Sequence, residues 1–131
     1  MAEIKTDNGM YLHEDITRKV IGAAMRVHQS LGCGFLEKVY QEALAIELEE
    51  NGVAFEREKS FPLYYRGREL ACKYIADFLV EGKVIVELKA TDALDDKFKG
   101  QVINYLRASN LRVGLLINFG EPHLTCKRLI L

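Results

Sequence analysis

The segment KVIVELK, residues 83–89, decides the fold. Apolar residues occupy both of its alternating faces, which predicts a β-strand that other elements cover on both sides. A carboxylate and an ammonium group inside such a strand are costly unless they are paired or bind a ligand. Glu87 and Lys89 are two residues apart, so both point to the same face of the sheet. Taken alone, the segment predicts a functional site or an ordinary cross-strand ion pair with equal weight.

The strand before it, YIADFLV at residues 74–80, carries a second acidic residue, Asp77, in an apolar setting. The length of the connecting loop decides whether the two acids meet. A two-residue turn at 81–82 sends Asp77 and Glu87 to opposite faces of the sheet. A three-residue loop at 81–83, with its glycine in the left-handed conformation, places the two acids directly opposite each other. We predict the three-residue loop or an equivalent bulge.

Two neighbouring carboxylates repel each other unless a cation lies between them. Oxygen ligands favour hard ions, so Mg²⁺ or Mn²⁺ is the predicted metal at Asp77 and Glu87. Such an ion can bind a phosphate oxygen and lower the pKa of an attacking water. Lys89 would position that water or offset the charge of the transition state. The pattern therefore favours hydrolysis of phosphodiester bonds.

The rest of the chain predicts an α+β fold. Apolar residues at intervals of three or four predict helices, and a period of two with β-branched and aromatic residues predicts strands. Helices are expected at residues 13–31 and 36–52, and from Asp95 to Asn110. Strands are expected at 53–58, 61–65, 69–74, 75–80, 83–90, 113–119 and 124–131. This order predicts N-terminal helices, an antiparallel meander, a crossover helix and a closing strand on one mixed sheet.

The composition is that of one soluble globular domain over residues 1–131, with 49% hydrophobic and 28% charged residues. No apolar run approaches the ~20 residues of a membrane span, so no membrane partner is expected. The three cysteines lack paired spacing, which favours reduced thiols and a cytoplasmic location. Residues 1–52 carry nine acids and five bases, and residues 53–131 carry ten acids and thirteen bases. A polyanion is expected to bind the second part.

Three motifs carry a resemblance to a known family. Asp77, nine intervening residues and then the ELK of residues 87–89 resemble the active-site signature of the PD-(D/E)XK nuclease superfamily. The core order of that superfamily matches the predicted elements, although Ala76 stands where the signature has proline. GFLEKVY at residues 34–40 spells GxxExxY, and nearly the whole chain is similar to the small GxxExxY family of that superfamily. The segment QVINY, residues 101–105, resembles the QxxxY motif of its RecB-like branch.

The resemblance implies a restriction-endonuclease-like fold and a metal-dependent nuclease, with DNA as the expected nucleic acid. Asp77 and Glu87 would hold one or two Mg²⁺ (or Mn²⁺) ions, with the backbone carbonyl of Leu88 as a further ligand. Lys89 would be the catalytic cation, and Glu37 would assist a second metal or the water. Gln101, Tyr105, Tyr40 and His28 would support these residues or contact the nucleic acid.

Each supporting residue also has a structural alternative. Glu37, in the first turn of its helix, could satisfy free amide groups. Tyr40 is more typical of a core residue than of a catalyst. Gln101 and Tyr105, one helical turn apart, could simply support the sheet. His28 could cap helix carbonyls, and this is favoured over metal ligation.

The rival hypothesis is a catalytically inactive binding or regulatory module with the nuclease fold. A chain of 131 residues with a net charge of -1 leaves little surface for gripping a long duplex. The presence of Asp77, Glu87 and Lys89 favours catalysis. The strand at 124–131 is expected at a sheet edge, where it could pair with a second copy to form a homodimer.

Overall fold

The computed structural model of the protein describes residues 3–131, which form three helices and five strands. The helices are α1 (Glu14–Leu31), α2 (Glu37–Glu50) and α3 (Asp96–Ser109). The strands are β1 (Phe55–Tyr65), β2 (Arg68–Val80), β3 (Val84–Lys89), β4 (Val113–Asn118) and β5 (Thr125–Ile130). Among residues 3–131, no helix combines the length and the apolar character that crossing a bilayer requires.

The strands form one mixed sheet in the order β1-β2-β3-β4-β5. β3 and β4 are parallel because the chain crosses between them through α3, and the other neighbouring pairs are antiparallel. α1 and α2 cover one face around a core that includes Val20, Leu44 and Val86. α3 covers the other face around Ile85 and Val102. The predicted α+β architecture is therefore confirmed.

α3 is held closely against the sheet. Its first turn is capped by Asp95, whose Oδ1 accepts a hydrogen bond of 3.0 Å from the backbone N–H of Lys97. Val102 and Leu106 are buried on its inner face. Gly114 of β4 permits this approach, because a Cβ there would lie 2.8 Å from Cγ1 of Val102. This packing fixes the orientation of α3 on the sheet, and with it the positions of residues 101 and 105.

Two strand boundaries expected from the sequence are wrong. The segments expected at 53–58 and 61–65 form the single strand β1, and those at 69–74 and 75–80 form the single strand β2. Glu58, with a φ of 53°, is a local irregularity inside β1 that does not interrupt the strand. The turn between the two strands lies at Arg66 and Gly67, where the sequence predicts one, and both residues have positive φ. β1 and β2 therefore form one long antiparallel hairpin.

The connection between β2 and β3 is the three-residue loop that the sequence predicts. Val80 pairs with Val84, which leaves residues 81–83 as the loop. Gly82 has a φ of 66°, in the left-handed region that favours glycine. Extending this register places Asp77 opposite Glu87.

The β2–β3 ladder ends before this position, at the pair Phe78 and Val86. On the N-terminal side of Phe78, β2 is paired with β1 alone among the described strands. The three-residue loop also predicts Ile75 opposite Lys89, and this is wrong, because within residues 3–131 Ile75 pairs only with β1 and is 59% exposed. β2 and β3 therefore separate next to Asp77 and Glu87. This separation opens the sheet at the place where the sequence predicts a site.

Candidate active site

The carboxylate of Asp77 lies in the gap where β2 separates from β3. Its Oδ2 accepts a hydrogen bond of 2.8 Å from the backbone N–H of Leu88, and its Oδ1 accepts one of 2.9 Å from Nε2 of Gln41. The N–H and C=O of one strand residue point to the same edge of the strand. The carbonyl of Leu88 therefore faces the β2 side, whereas that of Lys89 faces β4 and accepts the N–H of Phe119 at 2.8 Å. The predicted backbone ligand lies on the Asp77 side of β3.

Gln41 of α2 fixes the orientation of Asp77, and none of the sequence motifs singles it out. Its side chain is 4% exposed. Its Oε1 accepts a hydrogen bond of 2.8 Å from Nε of Arg57 in β1. Because arginine only donates, the amide nitrogen of Gln41 must face Asp77. The signal in the sequence was spacing, since Gln41 follows Glu37 by four residues and lies on the same helical face.

The carboxyl group of Glu87 is largely buried beside Asp77. Its Oε1 accepts a hydrogen bond from the hydroxyl group of Tyr74. Burial raises the pKa of Glu87 from 4.5 to about 8, with the negative charge of Asp77 as the second cause, while the hydrogen bond from Tyr74 lowers it. A bound cation would favour the ionised form of both carboxylates and remove this penalty.

Tyr74 links Glu87 to α3, and it is a second residue that the motifs do not include. Its ring stacks on that of Tyr105, with centroids 3.7 Å apart, and on that of Phe61 at 5.6 Å. Burial, followed by the charge of Glu87, raises the pKa of Tyr74, so its hydroxyl stays a proton donor at neutral pH. Among the described residues, Tyr105 approaches Glu87 through this stack and not through a hydrogen bond of its own.

Lys89 extends from the end of β3 towards α3. Its Nζ lies 4.7 Å from the ring centroid of Phe98, which is a cation–π distance. A narrow cavity of about 30 Å³ separates Lys89 and Glu87 from α3, where Gln101 and Tyr105 line it. The structure thus brings both residues of the QxxxY segment to the two charged groups of β3. Their role in orienting Lys89 or a nucleotide stays a prediction.

Glu37 lies at the start of α2, on a second and wider cavity. Among the described residues the carboxylate of Glu37 accepts no hydrogen bond from the free amides of α2, but its place in the first turn still suits the helix dipole. Desolvation raises the pKa of Glu37 above 4.5, the cation of Lys89 lowers it, and the carboxylate of Asp77 raises it. This cavity, of about 260 Å³, is lined by Glu37, Lys38, Gln41, Glu58 and Asp77. Glu37 therefore shares with Asp77 a space that could hold water or substrate.

Tyr40 is a structural residue of the α1–α2 joint. It is fully buried, and its hydroxyl donates a hydrogen bond of 2.7 Å to the carbonyl of Gly32. The same hydroxyl accepts the backbone N–H of Phe35 at 3.2 Å. Gly34 between them has a φ of 111°, which favours glycine. The glycine and tyrosine of the GxxExxY segment thus shape the joint that sets the start of α2, and these contacts agree with the core alternative for Tyr40.

His28 has a different partner from either of those expected. Its Nε2 lies 2.9 Å from the backbone carbonyl of Glu121, after β4, so its ring does not cap the carbonyls of its own helix. Among residues 3–131, no hydrogen bond or ion pair links His28 to Asp77 or Glu87. Its contacts connect the end of α1 to the loop between β4 and β5.

The acidic groups near the gap form a pair and not a larger cluster. Within the described part of the chain, no three His, Cys, Asp or Glu side chains converge to hold a metal ion by themselves. Asp77 and Glu87 offer carboxylate oxygens next to the carbonyl of Leu88, and Glu37 stands apart on the wider cavity. All of these donors are oxygen atoms, which suits Mg²⁺ or Mn²⁺ better than softer metals.

The fold and the site together define a nuclease-like α+β domain. A family profile described as the PD-(D/E)XK nuclease superfamily matches residues 14–129. The chain belongs to this superfamily, as the resemblance in its sequence predicts. Membership suggests a nuclease, whereas the GxxExxY assignment and the QxxxY features stay predictions.

A solved structure described as "Crystal structure of SSO0001" has a similar fold. It superposes with a TM-score of 0.59 and 17% sequence identity over 90% of this chain. The match spans 59% of the length of that structure. At this identity the likeness shows the fold alone, and the restriction-endonuclease-like class is confirmed. None of the curated proteins matches the sequence.

Proposed function

We propose that the protein is a metal-dependent nuclease that hydrolyses phosphodiester bonds, with DNA as the expected substrate. One observation carries the proposal: Asp77 and Glu87 come together where β2 leaves β3, and Asp77 is one of the causes that raise the pKa of Glu87 to about 8. Proteins tolerate such a mutually repelling pair mainly at sites with a function. Membership of the PD-(D/E)XK superfamily supports the same conclusion.

The donor set fits a hard divalent cation. Asp77 keeps unused lone pairs on both oxygens, since each accepts a single hydrogen bond among the described residues. Glu87 uses Oε1 towards Tyr74, and the carbonyl of Leu88 faces the same gap. Asp77, Glu87 and the carbonyl of Leu88 would hold Mg²⁺ or Mn²⁺. When bound, the ion supplies Lewis-acid activation of a phosphate oxygen and of water.

The other residues near the gap have separate tasks in this proposal. Lys89 offers a cation at the end of β3 that would offset negative charge on the reacting phosphate. Glu37, with its raised pKa, would hold a water molecule in the cavity that it shares with Asp77. Gln41 and Tyr74 would keep the two carboxylates in place. Gln101 and Tyr105 would border the path of the nucleic acid along α3.

A cleavage assay tests the proposal. The wild type, with Mg²⁺ or Mn²⁺, should cleave labelled DNA oligonucleotides, and Lys89→Ala should lower the rate by at least about a hundredfold while the fold is retained. Lys83→Ala is the matched control, since this exposed lysine lies just before the other end of β3. Equal rates for the wild type and Lys89→Ala, with intact melting curves, would reject the role of Lys89.

A binding module without turnover is the second candidate. The observation that favours it is the set of protein hydrogen bonds to both carboxylates, which orders Asp77 and Glu87 without an ion. Thermal melting separates the two candidates. Mn²⁺ should raise the melting temperature, and Asp77→Asn should remove the gain. A gain without cleavage of any DNA or RNA would support the module, and no gain would contradict a metal site in either form.

Two further expectations belong to this proposal: a cytoplasmic location and a homodimer. β5 lies at one edge of the sheet and pairs with β4 alone among the described strands. An exposed strand edge is a ready surface for pairing with a second copy. Light scattering of the purified protein should give twice the mass of one 14.9 kDa chain, and a monomer mass would contradict the expected homodimer.

A further inference from the structure

The tip of the β1–β2 hairpin, residues 62–73, extends beyond the part of the sheet in which β2 pairs with β3. β2 pairs with β3 only from Phe78 to Val80, so within the described chain the strands of the tip pair only with each other. Tyr64 and Tyr65 lie there with 61% and 62% of their surface exposed. A two-stranded ribbon gains little stability by itself. Two exposed tyrosines at its end therefore suggest a contact surface.

The charge of the tip points to the kind of partner. It carries three basic residues and one acidic residue: Arg66, Arg68, Lys73 and Glu69. None of the three basic residues takes part in the ion pairs of residues 3–131. The guanidinium of Arg66 lies 5.3 Å from the ring centroid of Tyr65. Free cations beside exposed aromatic rings are the combination that binds phosphates and unpaired bases.

We propose that the hairpin tip binds single-stranded nucleic acid, with Tyr64 and Tyr65 stacking on bases and Arg66, Arg68 and Lys73 contacting phosphates. The inference rests on the proposed function, because the bound strand is the substrate of the candidate active site. A single strand is favoured over a duplex, since the flat faces of the tyrosines can stack only on bases that are not paired and stacked in a helix.

β2 connects the tip to the active site and sets the distance between them. The strand runs without interruption from Arg68 to Val80 and includes Asp77. At roughly 3.3 Å per residue, Arg68 lies about 30 Å from Asp77 along the strand. This length corresponds to about nine nucleotides at roughly 3.4 Å each, and to fewer in a stretched strand. At this stacked spacing, a strand of about four nucleotides is too short to contact both places, and one of about fifteen is long enough.

Binding of fluorescent single strands of both lengths, measured by anisotropy in EDTA, tests the inference without cleavage. One variant combines Tyr64→Ala with Tyr65→Ala. A second combines Arg66→Asn, Arg68→Gln and Lys73→Gln, with asparagine at residue 66 because its φ is 51°. The control set is Lys19→Gln, Lys83→Gln and Lys127→Gln, which removes three exposed charges elsewhere.

For the long strand, the tyrosine variant should bind at least about tenfold more weakly. The charge variant should lower the slope of log K against log salt by about 2, as expected for three lost phosphate contacts. The control set should change neither quantity. The short strand should bind weakly to every form of the protein. Melting curves should show that all variants remain folded.

The outcomes separate this inference from the proposed function. If both tip variants bind the long strand like the wild type, the inference is wrong, and cleavage that depends on Lys89 would still support a nuclease. If the tip variants lose binding but Lys89→Ala cleaves normally, binding by the tip is supported and the proposed catalytic role of Lys89 is wrong. If the control set weakens binding as much as the charge variant, binding is non-specific and the inference is wrong. If no strand binds the wild type, the inference is wrong.

Discussion

The side-chain amide of Gln41 donates a hydrogen bond of 2.9 Å to Oδ1 of Asp77. The bond crosses from α2 to β2 and reaches a carboxylate that Leu88 also holds at Oδ2. Gln41 is itself held in one orientation by Arg57. The acidic residue at the centre of the candidate site is thus fixed from two sides, by a strand and by a helix. Groups that orient a metal ligand in this way commonly influence metal affinity.

Gln41→Leu should therefore weaken metal binding and cleavage with little change of shape. Leucine keeps most of the volume but removes both hydrogen bonds, so Asp77 loses one of its two fixed contacts. We expect a 10- to 100-fold loss, roughly, in Mn²⁺ affinity or cleavage rate, and a loss of about 1 kcal/mol in the free energy of unfolding. Gln29→Leu, an exposed glutamine in α1, is the control. Wild-type Mn²⁺ affinity in Gln41→Leu would show that Asp77 does not depend on this bond.

Tyr74→Phe should move the pH dependence of cleavage. The hydrogen bond from Tyr74 lowers the pKa of Glu87, so removing the hydroxyl should raise that pKa further. Because a proton and the cation compete for Glu87, both Mn²⁺ binding and the acidic limb of the pH–rate profile should shift to higher pH. Phenylalanine keeps the stack on Tyr105, which separates this electrostatic effect from a loss of packing. Tyr11→Phe, an exposed tyrosine near the N-terminus, should leave the profile unchanged, and an unshifted limb in Tyr74→Phe would contradict the coupling.

The raised pKa of Glu87 also predicts how stability varies with pH. Its pKa is about 8 in the folded protein and 4.5 when exposed, so the folded state binds more protons between these values. Stability should accordingly fall as pH rises from 4.5 to 8, by at most about 1.4 kcal/mol per pH unit from this group. Glu87→Gln should flatten that part of the curve and make the protein more stable at pH 8. Urea unfolding at pH 5 and pH 8 measures the change of stability with pH and the stability of each protein at pH 8. If the free energy of unfolding changes equally between pH 5 and pH 8 in the wild type and in Glu87→Gln, the pKa of Glu87 is not raised by folding.

The sequence predicts the acidic pair for a local reason. The loop at residues 81–83 fixes the register of two consecutive strands, so Asp77 and Glu87 could be placed opposite each other without knowledge of distant contacts. Gln41 and Tyr74 could not be found in this way. Gln41 reaches Asp77 from 36 positions earlier in the chain, across the layer between helix and sheet. Tyr74 lies only three residues before Asp77, but it meets Glu87 beyond the end of the β2–β3 ladder, where strand register no longer predicts neighbours.

The strand boundaries illustrate the same limit. The sequence predicts separate strands at 53–58 and 61–65, but pairing with β2 holds the chain extended on both sides of Glu58. The contacts of Tyr40 and His28 could not be predicted from the sequence either. The GxxExxY segment predicts Tyr40 as a supporting residue, and only the contacts show that it supports the joint between two helices. His28 meets a carbonyl of a loop 93 residues away, which no spacing could indicate.

Tyr40→Phe should lower stability without affecting metal binding. The change removes the hydrogen bonds to Gly32 and from Phe35 but keeps the stack on Phe119, whose ring centroid lies 4.6 Å away. We expect a loss of about 1–2 kcal/mol in the free energy of unfolding. The Mn²⁺ affinity of the folded protein should equal that of the wild type. A specific loss of cleavage with unchanged stability would instead indicate a catalytic role for this hydroxyl.

Gly120→Ala should strongly destabilise the protein and disturb the end of β3. A Cβ at Gly120 would lie 2.6 Å from the carbonyl carbon of Ala90 and closer still to backbone atoms of Thr91. These are backbone atoms of the segment that follows Lys89, so they can yield only if that segment moves. Overpacking of this kind costs about 1–3 kcal/mol or more, and the displaced segment carries Lys89 with it.

Gly100→Ala is the matched control for this substitution. Gly100 lies in α3 with no atom within 4 Å of an added Cβ, so alanine there should be neutral or stabilising by up to about 1 kcal/mol. Urea unfolding gives the stability difference, and cleavage at a temperature where both variants are folded reports on Lys89. We expect Gly120→Ala to lose activity even when folded. Full activity and wild-type stability in Gly120→Ala would mean that the segment after β3 is not held against β4 as tightly as its contacts indicate.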